Sequence, residues 1–357
     1  MIFRLFDVCR SCRRHTYARA PLASEPAPRP APSNSGSRRA ACPEKSTRRS
    51  RRLPSNSLSD VFVCDSTVTK KVFLLPPNGV PPPATHEPHK KQMGVEEQLH
   101  RLPFNPFLVL CKNIAPIAKS NRGGGYAYDL EYAEGGDLCS LLQVEGLPPI
   151  TLDEARLLMA QLVLGLQYIH QNNFIHRDLK PENILITAAG DVKIADFGLA
   201  GMPDKTGRCD TRCGSVPYCA PEMFDDKKAR TRAVDIWSLG VIFYSLLEFE
   251  HPFLEGDGDS QSSRQATRAR IEKRTVRSPL SDALQTDAPA RELFDQMCQP
   301  DYRRRPPVEA LKKHAFFDGL DWSAIARGDV SSPLRRLLQE RDSLEQQHGL
   351  SNEFLDF

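Results

Sequence analysis

Alternation and helical spacing divide the chain into a strand-rich stretch and a helix-rich stretch that meet near Gly135. From Val61 to Leu75 the run VFVCDSTVTKKVFLL sets two β-branched and aromatic segments around a polar turn, which predicts a hairpin. Pro76–His89 reads as a proline-rich loop, and Met93–Leu102 has helical spacing through Val95, Leu99 and Leu102. Phe107–Cys111 and Tyr126–Tyr132 read as strands, joined through a turn at Asn121–Gly125. Downstream, Leu152–Gln171 carries Leu157, Leu158, Leu162, Leu166 and Ile169 in a pattern that predicts a long amphipathic helix. Ile184–Ile186 and Asp191–Ile194 predict a short hairpin through Ala188–Gly190. Val234–Leu247 is strongly apolar and predicts a buried helix. Ala290–Cys298 and Val308–His314 are further helices, Glu255–Arg268 is a polar loop, and Leu334–Gln347 is a charged amphipathic helix. The expected fold class is α+β, with a small β-rich lobe, a larger helical lobe and a cleft near Gly135.

Composition adds limits. The 357 residues are 40% hydrophobic and 26% charged, enough for one globular domain of roughly 250–300 residues plus extra segments. The net charge is only +3, and the basic excess gathers in residues 1–52, where Asp7, Glu25 and Glu44 are the acids. Pro, Ala, Ser and Arg dominate that stretch, so it reads as a disordered basic tail that cannot bury a core. Its Arg-rich, acid-poor start is also compatible with a mitochondrial transit peptide, and Arg48–Arg52 with a nuclear address or a plain solvated charge run. The remainder is close to neutral and shows no nucleic-acid signature. No run of about 18 apolar residues predicts a membrane span. Ten cysteines are scattered; Cys9 and Cys12 form a CxxC near His15, but no second pair follows at zinc-finger spacing. The thiols read as reduced and intracellular, which places the chain in the cytoplasm, the nucleus or both.

Three motifs in fixed order carry the chemistry: His176-Arg177-Asp178-Leu179-Lys180-Pro181-Glu182-Asn183, then Asp196-Phe197-Gly198, then Ala220-Pro221-Glu222. With them the chain resembles the eukaryotic Ser/Thr protein kinases, from Leu53 to about Trp322, strongly after Tyr126 and weakly before it. Phosphoryl transfer needs a positioned hydroxyl and a neutralised triphosphate. The resemblance implies ATP and Mg²⁺ as the nucleotide and ion. Asp178 would orient the attacking hydroxyl, Lys180 would stabilise the transferred phosphate, and Asn183 and Asp196 would supply hard oxygen ligands to Mg²⁺. Leu130 would be the gatekeeper, the backbone of Glu131 and Ala133 would meet the adenine edge, Asp137 would face the ribose, and Val61 would cover the base. Glu182 would stand with Asn183 and Asp196 at the nucleotide site, and Asp137 and Glu182 would also present carboxylates to a substrate arginine. The family's second acidic contact is Ser245 here, which weakens a strong arginine preference. The partners implied are a protein substrate, with basic residues near its target Ser or Thr, and an upstream activating kinase.

The activation segment would run from Asp196 to Glu222. A phosphate on Thr211 would pair with Arg177, and Ser215 stands where the family has a threonine that contacts the catalytic Asp. Glu222 is expected to pair with Arg305, and Asp235 to cap the catalytic loop. The ending His314–Trp322 and the terminal Glu353-Phe354-Leu355-Asp356-Phe357 resemble the AGC group, which includes cyclic-AMP-dependent kinase. The expected organisation is therefore a tail at 1–52, a kinase domain at 53–320 (small lobe 53–134, large lobe 135–320) and an AGC-like extension at 321–357.

The small lobe departs from the family. Pro54, Asn56 and Ser59 replace the three glycines of the phosphate loop, where glycine lets the backbone approach phosphate. An ungapped extension places the strand lysine at Pro76, with Glu96 (Glu97 second) as its intended partner and Lys70 and Lys71 on or near the hairpin turn. These departures leave three readings open: an active kinase with an unusual nucleotide site, a pseudokinase acting as scaffold or allosteric partner, or a mistranslated N-terminal stretch.

Overall fold

The computed structural model describes residues 51–53, 59–64, 67–73, 86–118, 124–209, 213–256, 260–276 and 282–347. Strands β1 (Arg51–Leu53), β2 (Ser59–Cys64), β3 (Thr67–Phe73), β4 (Cys111–Ile117) and β5 (Gly125–Glu131) form one antiparallel sheet in the order β1-β2-β3-β5-β4. β1 begins two residues before the tail boundary read from composition. Helix α1 (His86–His100) lies against the sheet, and Met93 packs with Val72 and Tyr128 in a small core. It begins inside the expected proline-rich loop. Pro88 falls in its first turn, where a missing N–H costs no intrahelical bond.

Phe107–Leu110 does not form a strand with the sheet. The segment is buried against the other lobe: Val109 N–H donates to the Ile194 carbonyl (3.0 Å) and Ile194 N–H to that of Phe107 (2.8 Å). The strand expected there starts at Cys111.

The large lobe opens with β6 (Gly136–Asp137), α2 (Leu138–Leu142) and α3 (Leu152–Gln171). Thr151 and Glu154 form a reciprocal capping box at the start of α3. β7 (Ile184–Ile186) and β8 (Val192–Ile194) make the predicted hairpin, with β6 at its edge. Helix α4 (Ala233–Glu248) is buried along nearly all its length, as its apolar sequence requires. The remaining helices are α5 (Gln261–Lys273), α6 (Asp282–Thr286), α7 (Ala288–Met297), α8 (Val308–Leu311), α9 (Trp322–Arg327) and α10 (Arg335–Gln347). One continuous apolar core joins them.

α5 replaces much of the expected polar loop. Ser260 caps it by accepting from Ser263 N–H (3.2 Å). Its inward stripe is Ser263, Thr267 and Ile271, spaced by four, so the helix has a buried face but almost no hydrophobic signal. No helix among the described residues is long and apolar enough to cross a membrane.

Close approach of α4 to α7 depends on Gly240, where an added Cβ would meet Cys298 Sγ at 2.8 Å and Met297 Cβ at 2.9 Å. Replacing a helical glycine by alanine gains about 1 kcal/mol of propensity, whereas overpacking a core costs about 1–3 kcal/mol. Gly240→Ala is expected to be net destabilising. Urea denaturation checks this, and an unchanged midpoint would show that Met297 and Cys298 yield freely.

Candidate active site

A fully buried carboxylate on α4 shapes the catalytic loop. Asp235 accepts from His176 N–H (2.9 Å) and Arg177 N–H (2.8 Å) and meets His170 Nε2 at 2.8 Å. Burial opposes its charge, but the His170 bond, the nearby histidines and the Arg177 N–H outweigh it and hold its pKa below the usual range. Arg177 is thereby held at a positive φ of 67°, a conformation that a branched or long side chain enters only when its surroundings impose it.

Asp178 emerges from that bend. One carboxylate oxygen accepts from Ser215 N–H (2.8 Å), and Lys180 Nζ lies 3.3 Å from the other. Lys180 also donates to Ser215 Oγ at 3.0 Å. Burial works against the Lys180 charge, but the Asp178 and Glu182 carboxylates outweigh it and raise the pKa. Asn183 Nδ2 donates to the Asp178 carbonyl (2.8 Å), which leaves its amide oxygen as the atom suited to a cation.

The strand lysine is Lys70, not Pro76. Lys70 Nζ lies 2.8 Å from Glu96 Oε1 and 2.9 Å from Asp196 Oδ1. The β2–β3 ladder closes at Cys64↔Thr67 with only two residues between the strands, and Val61 pairs with Lys70. The ungapped alignment allowed a longer hairpin and so overshot by six residues; Pro76 itself lies outside the described residues. Glu97 is not the partner, since it pairs with Arg101 along α1 at 2.8 Å. Burial opposes the Lys70 charge, but Glu96 and Asp196 together raise its pKa. Lys70 in turn holds the Asp196 carboxyl far below the ordinary range, against its burial. Asp196 has a φ of +57° and accepts from Gly198 N–H at 3.3 Å.

Between the lobes, Leu130 sits on β5 and Val61 on β2. Glu131 ends β5; its N–H donates to the Leu110 carbonyl (2.9 Å), and its carboxylate takes Lys193 Nζ (2.6 Å) and Leu110 N–H (2.7 Å). Ala133 follows in the linker. Asp137 caps α2 by accepting from Ser140 N–H (2.8 Å) and Ser140 Oγ (2.7 Å). Glu182 Oε2 is buried without a hydrogen-bond partner, and burial raises the Glu182 pKa. Ser245 is fully buried in α4, and its hydroxyl is likewise unpartnered.

Glu222 and Arg305 form a two-pronged ion pair with no exposed side-chain surface, at 2.6 and 2.8 Å. Arg177 Nε donates to the Leu199 carbonyl (2.8 Å) and Nη2 to that of Ala200 (3.1 Å). Thr211 and the terminal Phe354–Phe357 motif lie outside the described residues, as do Pro54 and Asn56. Ser59 opens β2.

Two features had no sequence signal. His100 packs between Tyr128 (4.9 Å, tilted) and Phe197 (5.2 Å, edge-on), and Phe197 meets His176 edge-on at 5.6 Å, so rings form a column from β5 to the catalytic loop. Burial, then the Lys70 charge, pushes the His100 pKa down to about 3. The second is Arg341 of α10, which reaches the linker; only the one-turn periodicity of α10 hinted that this helix packs at all.

The donor set suits a nucleotide with Mg²⁺. Among the described residues there is no cluster of three or more metal-ligating side chains. Asp196 and Asn183 instead offer one carboxylate and one amide oxygen, the sparse protein set that Mg²⁺ takes when phosphates supply the rest.

The protein kinase domain family matches residues 109–317, more than half of the chain, and the chain belongs to that family. Similar proteins are Ser/Thr kinases: mouse ribosomal protein S6 kinase alpha-4, 31% identical over 58% of this chain and 26% of that protein; Saccharomyces cerevisiae SCH9, 33% over 60% and 25%; and Caenorhabditis elegans chk-1, 40% over 42% and 30%. The chain thus spans only about a quarter to a third of the length of these relatives. The first two fit the AGC-like resemblance. The family match begins at Val109, so it takes in β4 and β5 but not the part of the small lobe that precedes them.

Removing one partner of a buried pair leaves an uncompensated charge, at a cost of about 3–5 kcal/mol. Lys70→Met is expected to destabilise at the low end of that range, because Asp196 stays hydrated at the cleft while Glu96 does not. Adding Glu96→Gln should recover part of the loss. Chemical denaturation of both single variants and the double variant checks the coupling; strict additivity would show that the pair contributes nothing.

Proposed function

We propose that the chain is an active protein kinase that transfers the γ-phosphate of ATP to Ser or Thr hydroxyls of protein substrates. The observation that carries the reading is the Lys70 ammonium bridging Glu96 and Asp196 in the same cleft as an oriented Asp178. The pseudokinase alternative arose from the unmatched glycine loop and an apparently missing lysine; Lys70 answers the second of these, while Pro54 and Asn56 lie outside the described residues.

The proposed roles follow from position. The adenine edge would meet the Glu131 and Ala133 backbone between Val61 and the gatekeeper Leu130, with Asp137 at the ribose. Lys70 would hold the α- and β-phosphates. Mg²⁺, bound through Asn183 and Asp196, would neutralise charge on the phosphates. Asp178 would accept the proton of the substrate hydroxyl as its oxygen bonds to the γ-phosphorus and the bond to the bridging oxygen of ADP breaks. Lys180, beside Asp178 and Ser215, would balance charge on the moving phosphoryl group. Thr211 is the proposed activating phosphosite, with Arg177 as the phosphate partner; a Thr211→Ala chain as active as the Thr211-phosphorylated wild type would sink that part.

Asp178→Asn should lower phosphoryl transfer by about a hundredfold or more while leaving the thermal unfolding profile intact. Radiolabelled phosphate incorporation into a Ser/Thr peptide, with contaminating kinases excluded, measures this. Retained activity would refute the role of Asp178.

The unpartnered Glu182 oxygen supports recognition of a basic residue near the target hydroxyl, with Asp137 beside it and Ser245 contributing no charge. Glu182→Gln is expected to lower kcat/KM roughly 30-fold for an arginine-containing peptide and little for a neutral one. Because burial raises the Glu182 pKa, its charged form appears later as pH rises than for an ordinary glutamate. The basic-peptide preference should therefore strengthen as pH climbs through that raised pKa. Equal loss for both peptides, or a flat preference against pH, would remove Glu182 from recognition.

A further inference from the structure

Helix α10 reaches back from the end of the described chain to the linker between the lobes. Leu334, Leu337 and Leu338 seat it in the large-lobe core. Arg336 donates to both Glu154 carboxylate oxygens (2.7 Å each) and to the Pro149 carbonyl (2.9 Å). Leu334 N–H donates to the Gly190 carbonyl at 3.1 Å, which ties the start of the helix to the β7–β8 turn. Gly190 has a φ of +96°, and a Cβ there would meet Arg335 N at 2.5 Å, so this junction accepts only glycine.

From that seat Arg341 meets the linker. The residue is 6% exposed, and its Nη1 donates to the Gly135 carbonyl at 3.0 Å. Asp342 Oδ1 holds Nε (3.1 Å) and Nη2 (2.9 Å), and Glu345 Oε1 lies 3.9 Å from Nε. Other groups anchor the rest of the bend. Gly135 N–H donates to the Ile186 carbonyl (2.9 Å) and Gly136 N–H to that of Ala133 (3.2 Å). Gly136 has a φ of +78°. Two adjacent glycines permit this bend but also give the linker large conformational freedom. A charge-assisted bond to the buried Gly135 carbonyl restricts it. The cation is buried only because those bonds satisfy it.

We infer that Arg341 is a positioning residue for the nucleotide: α10 uses it to hold the Ala133–Asp137 linker in the conformation that takes the adenine and ribose. The inference rests on the kinase reading above. In this role Arg341 acts through the Gly135 carbonyl, which belongs to the same peptide group as the Gly136 N–H that bonds the Ala133 carbonyl. A residue with this role affects ATP more than the peptide substrate. A residue that merely supports the fold lowers stability and both affinities together.

The test uses the full chain with Arg341→Met, Arg341→Gln and Arg336→Met. Steady-state kinetics with ATP and with peptide varied separately, thermal unfolding, and hydrogen exchange of the 132–137 amides are measured on each. Arg341→Met should raise the KM for ATP about tenfold, leave the KM for peptide unchanged and speed exchange in the linker. Arg336→Met, which loosens the seat, should lower the melting temperature more. If Arg341→Met does not fold, Arg341→Gln decides by the same readouts. A wild-type KM for ATP in a folded Arg341 variant overturns the inference alone, and so does a parallel shift of both KM values and the melting temperature. Failure of the wild type to bind Mg·ATP overturns the kinase reading and this inference with it.

Discussion

One ammonium group organises the cleft. Lys70 sits on β3, Glu96 on α1, and Asp196 at the turn that starts the activation segment, and the three meet within 3 Å. Withdrawing Lys70 strands the Glu96 carboxylate, which water reaches poorly because its side chain is only 3% exposed. The arrangement therefore selects one placement of α1 against the sheet and one conformation of the Asp196 turn. The ring column of Tyr128, His100, Phe197 and His176 runs through the same elements. It ends on the loop whose backbone Asp235 holds. The polar bridge and the apolar column share the Asp196–Phe197 step, so a change in either alters both.

The chemistry of the large lobe was legible because its residues lie close together in sequence. Asp178, Lys180 and Asn183 fall within six positions, and a loop that short leaves little freedom once Asp235 fixes its backbone. The buried helix α4 was legible from its apolar run and α3 from its stripe. Lys70 was not legible, because its assignment depends on hairpin length. A strand register shift leaves the pattern of β-rich residues nearly unchanged while moving every partner. Only the Cys64↔Thr67 closure separates Lys70 from a reading that puts Pro76 in its place. Helix α5 escaped for another reason. Its inward residues Ser263 and Thr267 are buried through hydrogen bonding and small size, so hydrophobic periodicity carried no trace of them. His100 and Arg341 escaped because a polar residue in a helical pattern reads as solvent-facing until its neighbours are known.

The charges buried in this fold are better understood as geometry than as stability. Arg305–Glu222, Lys70–Asp196 and Arg341–Gly135 join positions 83, 126 and 206 residues apart. Each required stripping a cation of water, and in general an apolar pair of similar volume is as stable or more so. What an apolar pair cannot do is fix direction. Arg305 reaches Glu222, Gln299 and Ala233 at once, so its fork sets the orientation of the segment that ends the activation region. Lys70 sets the distance between strand, helix and metal-ligand turn, and Arg341 sets a linker that glycines would otherwise leave loose. A phosphoryl-transfer site does little covalent work and depends on holding groups at fixed separations. Spending buried charges at the three junctions where distant segments must keep register is consistent with that demand, and it explains why these three contacts join separate elements.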